Sequence, residues 1–140
     1  MFSQILKEKS AFFARSLALL LWAALIFFFS SLPGEPVYHT ASLAYLIERK
    51  GAHLIEYFVL TILALRFFFF LFPKELLRGV LALSMVFSLA YAASDELHQF
   101  FVPFREPKVT DVLIDGAGIL LAALFVLLFH RQAFRSEKRK

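Results

Sequence analysis

The sequence predicts an all-α integral membrane bundle of four transmembrane helices, with both termini on the cytoplasmic side. Three observations predict it. Of 140 residues, 60% are hydrophobic and the mean hydropathy is +0.72, above the near-half apolar content of soluble domains. Four apolar runs reach the roughly 18–20 residues that cross a hydrocarbon core at about 1.5 Å per residue. Lys and Arg are unevenly shared between the connections, as the positive-inside rule requires of a spanning chain.

The first helix is predicted over about 12–32, behind Lys7, Lys9 and Arg15. That layout resembles a signal peptide, but the apolar run is longer than an h-region and SSLPGEP is a poor cleavage context, so the helix is expected to be retained. The second covers about 54–72; its Arg66 lies six residues from the helix end, close enough to snorkel to the headgroups. The third covers about 76–94, and the fourth about 112–129 with Thr110 placed to cap it. Four helices use nearly the whole chain, which implies a single membrane domain over 1–140 with no soluble domain.

Eleven of the fifteen Lys and Arg fall in the N-terminal tail, the second-to-third connection and the C-terminal tail. Arg49, Lys50, Arg105 and Lys108 are the other four, and eight of the eleven acids lie with them. The connections at 33–53 and 95–111 are therefore expected to face outward. Because the basic residues flank apolar helices instead of forming one basic face, nucleic acid is excluded as a partner. The absence of cysteine excludes disulfides and thiolate chemistry.

The outward halves carry an unusual density of polar groups. Residues three, four and seven apart share a helix face. On the second helix Lys50, His53, Tyr57 and Thr61 form a stripe, with Glu56 beside it. The third carries Ser84, Ser88, Tyr91, Asp95, His98 and Gln99, and the fourth Asp111 and Asp115. Lipid does not tolerate such faces, so they are expected to meet in a polar pocket open to the outside, over an apolar lower bundle. Asp115 is the most telling: an acid one turn inside the membrane costs about 2.5–3.5 kcal/mol unless it faces water or a partner. Gly116, Gly118 and Ala122 beside it would let a neighbouring helix approach closely.

Several chemistries stay open. Asp95, Glu96 and His98 suit acid/base catalysis in a crowded, partly desolvated cluster. Lys50, His53, Tyr57, Gln99, Arg105, Asp111 and Asp115 suit substrate binding. Arg105 would grip an anion or lock an aspartate, and Lys50 has the further option of a headgroup. The i, i+3 pairs His53/Glu56 and Asp95/His98 would suit a divalent cation, without any zincin or Glu-x-x-His spacing. Ser94 beside Asp95 lacks the G-x-S-x-G elbow of a serine hydrolase. The alternative to all of these is a buried charge network that only holds the helices in register.

The runs KGAHLIEYFVL, SDELHQFFVPFR and DVLIDGAG resemble those of the VanZ-like membrane proteins, over roughly residues 15 to 130. The middle run carries D-E-x-x-Q-x-F-x-P-x-R. Lys50, His53, Tyr57, Asp95, Glu96, Gln99, Arg105 and Asp111 stand at that family's marked positions. His98 also fits, and Asp115 stands where the family often has Asn. Phe104 departs from the pattern, where Gly commonly follows the motif proline. The resemblance implies a multi-pass protein of the bacterial cytoplasmic membrane, and its namesake is linked to resistance to the glycopeptide teicoplanin. Three functions follow as expectations. One is an enzyme acting on a lipid-linked cell-wall precursor, and another is a non-catalytic protein binding such an amphiphile or the glycopeptide. The third, a transport path, has few polar steps towards the cytoplasm to support it.

Overall fold

The computed structural model describes residues 2–34, 43–105 and 108–133, with backbone alone at 43–48 and 130–133. The described chain is all helical: α1 (Phe2–Ser30), α2 (Leu43–Leu71), α3 (Leu77–Gln99) and α4 (Val109–Ala133). All four are long and apolar enough to span a membrane. In hydrocarbon every backbone N–H and C=O must be satisfied internally, and a continuous helix does so. Each helix extends past its expected apolar run, because polar turns at the ends continue the same hydrogen-bond ladder. Thr110 is consequently not the cap of α4: it is the second residue of the helix, and its Oγ1 lies 3.4 Å from Asp111 Oδ1.

The helices alternate in direction. The end of α1, the start of α2, the end of α3 and the start of α4 meet at one end of the bundle. At the other, Arg15 of α1 stacks 4.7 Å over Phe70 of α2. α2 is central and packs on the other three helices, whereas α1 rests on α2 and α3 without reaching α4. The core near the polar end joins Leu19 and Ile26, Tyr57, Leu60 and Ala64, Ala92, and Ile119. A second cluster below it joins Leu65, Val80, Leu81, Ala123 and Val126. Apolar side chains such as Phe28, Val86, Leu120 and Leu128 remain exposed on the outer faces, as a lipid-facing surface requires.

Buried polar side chains tie the helices across this core. Trp22 Nε1 donates to Glu56 O at 2.9 Å, and the Tyr91 hydroxyl donates to Ala23 O at 2.7 Å, fixing α1 to both neighbours. Thr61 Oγ1 reaches Ser88 Oγ at 3.0 Å between α2 and α3. Arg66 is exposed near the end of α2. Of the two glycines expected to permit close approach, only Gly118 does so: a Cβ there would overlap the Leu54 carbonyl of α2, while one at Gly116 meets nothing within 4 Å.

Candidate functional site

The turn after α3 builds the rim of the polar end. Phe101 N and Val102 N donate to His98 O and Gln99 O, both at 3.0 Å, winding the chain out of the helix. Phe104 then adopts φ 59°, a left-handed conformation unusual for a side-chain-bearing residue. This reversal delivers Arg105 to the end of α1. Its Nε donates to Leu32 O at 3.0 Å and an Nη to Phe29 O at 2.9 Å. The last carbonyls of a helix lack internal partners and carry partial negative charge, so a guanidinium there both satisfies and neutralises them. Gly34 N closes the same junction on Pro103 O at 3.1 Å. Pro103 and Pro107 restrict this connection, and Pro107 lies outside the described residues.

Beneath the rim three helices bury polar groups against one another. His53 of α2 and Asp115 of α4 are joined, Nδ1 to Oδ1, at 3.1 Å. Asp115 and Gln99 are fully buried, and His53, Asp95, Glu96 and Asp111 are nearly so. Glu96 Oε2 accepts the Lys108 backbone N–H at 2.9 Å, where α4 begins. Gln99 Nε2 donates to Asp95 Oδ2 at 3.0 Å. Among the described residues, Glu96 Oε1, Asp115 Oδ2, Gln99 Oε1, the Tyr57 hydroxyl, Ser30 Oγ and Arg49 Nε are buried without a hydrogen-bond partner. Such groups cost about 1–3 kcal/mol each when left unmade, and here they concentrate at one end of the bundle.

A cavity of about 470 Å³ opens beside this cluster, a size typical of small-ligand sites. Its lining mixes apolar side chains of α1 and its exit, Ile26, Phe29 and Leu32, with the polar Arg49, His53, Glu56, Asp95 and Arg105. Arg49 was not among the residues singled out in the sequence. Its signal was the spacing Arg49–His53–Glu56, which puts all three on one face of α2. Ser30 at the end of α1 and Ser31 just beyond it were also missed, because that helix reads as uniformly apolar.

The structure brings together His53, Tyr57, Asp95, Glu96, Gln99, Asp111 and Asp115, from three helices. Lys50 is exposed, and the half-buried Arg49 beside it lines the cavity instead. His98 turns to α1, its ring 4.4 Å from that of Phe27 and its Nε2 3.0 Å from Ser31 Oγ. Ser94 is exposed and its hydroxyl donates to Tyr91 O at 2.7 Å. The grouping of donors able to hold a metal differs from the pairs expected along single helices. It takes His53, Glu96 and Asp115, one from each of α2, α3 and α4, with their donor atoms within 4.8 Å of one another. Side chains three apart on one helix diverge by about 60°, so groups converge more readily across helices than along one.

Four spanning helices around a buried His–carboxylate cluster and an adjoining amphipathic cavity define a small multi-pass membrane protein with a polar site at one end. The chain belongs to the VanZ/LLP1 family, whose pattern matches residues 15–130. Neither the curated proteins nor the solved structures gave a significant match.

Proposed function

We propose that this protein holds an anionic, lipid-linked component of the bacterial cell envelope in the cavity at the polar end of the bundle. The observation that carries the proposal is the cavity's mixed lining. Ile26, Phe29 and Leu32 suit an acyl or prenyl chain, and Arg49 brings a buried Nε without a partner among the described residues. A guanidinium is the side chain best matched to phosphate or carboxylate. By family resemblance the component belongs to cell-wall assembly and teicoplanin susceptibility is the phenotype. Asp95, which lines the cavity, would act as acid or base on such a ligand, and the cytoplasmic membrane is the place.

Native mass spectrometry of detergent-purified protein tests this. Wild type is expected to carry a phosphorylated lipid that Arg49→Gln loses by at least about tenfold, as removal of a charge-assisted contact worth about 1.5–3 kcal/mol implies. Equal lipid on both proteins would sink the proposal. A second reading, a network that only braces the bundle, is favoured by the His53–Asp115 link and by Arg105 on the α1 carbonyls. On that reading Arg49→Gln leaves bound lipid unchanged, and Asp115→Asn lowers thermal stability with no change in teicoplanin susceptibility.

A further inference from the structure

We propose that His53, Glu96 and Asp115 form a binding site for a single divalent first-row cation, Zn²⁺ or Mn²⁺, on the inner side of the cavity. The inference stands without the lipid proposal. Its geometry comes first. Donors about 2.1 Å from one ion, at tetrahedral or octahedral angles, stand about 3.0–3.4 Å apart. His53 Nδ1 and Asp115 Oδ1, at 3.1 Å, already have the spacing of two adjacent ligands. The remaining separations, up to 4.8 Å, fall within reach of the flexible Glu96 side chain.

Charge and unmet hydrogen-bonding capacity point the same way. Glu96 and Asp115 are buried carboxylates, and His53, even protonated, neutralises one of them. A dication neutralises both and leaves the imidazole neutral, the form that ligates. Each acid also keeps one buried oxygen without a partner, Glu96 Oε1 and Asp115 Oδ2. Outside the trio, fully buried Gln99 has an orphaned Oε1 three residues from Glu96, and fully buried Tyr57 an orphaned hydroxyl four residues from His53. A cation meets the demands of both carboxylates together. Each ligand comes from a different helix, and Glu96 is held by a further contact, on Lys108 N. His53 forms part of the cavity wall, so the site adjoins the cavity.

The donor set selects the metal. One imidazole with two carboxylates suits Zn²⁺ and Mn²⁺, whereas Ca²⁺ takes six to eight oxygens and Mg²⁺ keeps most of its water.

Tag-free full-length protein in detergent, stripped with EDTA, is titrated with ZnCl₂, MnCl₂, CaCl₂ and MgCl₂ by calorimetry. One Zn²⁺ or Mn²⁺ per chain is expected, with Ca²⁺ and Mg²⁺ weaker by at least about tenfold. Glu96→Gln and Asp115→Asn should each weaken Zn²⁺ binding by at least about tenfold. If Asp115→Asn does not fold, Glu96→Gln decides. Wild-type protein loaded with Mn²⁺ supplies a readout independent of variants, a histidine-nitrogen coupling in pulsed EPR. No saturable binding by wild type, no nitrogen coupling, or Zn²⁺ affinity unchanged in the folded variants would overturn the site.

Discussion

At the scale of single residues, Phe104 tests how far the rim depends on one backbone angle. An L residue in the left-handed region costs about 1–2 kcal/mol, a cost glycine escapes. Phe104 is mostly exposed, so its ring contributes little packing to offset that cost. Phe104→Gly is expected to exceed Phe104→Ala in stability by about 1 kcal/mol, measured by thermal unfolding in detergent. The alanine comparison removes the ring equally and leaves only the angle. Equal stability of the two variants would mean that the turn relaxes once the phenyl is gone. The departure from glycine was legible in the sequence, and the left-handed angle is one that glycine adopts without strain. Arg49 was harder to see. Beside Lys50 it reads as one more flanking cation, and only the rotation of α2 decides which of the two turns inward.

At the scale of elements, the contact between α2 and α4 is set by Gly118. Adding a methyl there collides with the Leu54 carbonyl, and a backbone atom cannot swing aside as a side-chain tip does. Gly118→Ala is expected to cost about 1–3 kcal/mol, the usual penalty of overpacking, and to loosen the His53–Asp115 link between the same two helices. Gly116→Ala meets open space and should be neutral or stabilising by up to about 1 kcal/mol from helix propensity. Comparing the two in one unfolding series separates helix contact from a general glycine effect; similar outcomes would refute the contact. From the sequence the two glycines were indistinguishable, since both lie near Asp115 and the choice depends on rotation about the helix axis. The existence of the four helices was plain, because hydrocarbon demands long apolar runs. Their ends were not, because polar turns continue a helix without a hydropathy signal. The part played by α1 was equally hidden: it enters through Ser30, Ser31 and backbone carbonyls, and the carbonyls leave no mark in residue type.

At the scale of the whole molecule, charge and site location together predict sidedness. Arg15, Arg66, Lys74 and Arg78 belong to the end of the bundle away from the cavity, and the C-terminal cations Arg135, Lys138, Arg139 and Lys140, which would join them, lie outside the described residues. The cavity end holds most of the acids. The positive-inside rule then places the cavity at the outer leaflet. The chain has no cysteine, so single introduced thiols report without background. Lys50 is exposed at the cavity end and Lys74 at the opposite end, so neither substitution disturbs the core. In spheroplasts a membrane-impermeant maleimide should label Lys50→Cys at once and Lys74→Cys only after permeabilisation. The reverse pattern would turn the cavity to the cytoplasmic leaflet, where lipid-linked precursors are assembled, and would separate its ligand from any glycopeptide acting outside. Labelling of both before permeabilisation would mean mixed insertion, which a charge bias this strong argues against. The expected pattern leaves Arg49 and the His53–Glu96–Asp115 cluster within reach of headgroups on the outer surface, the side on which the proposed envelope ligand is exposed.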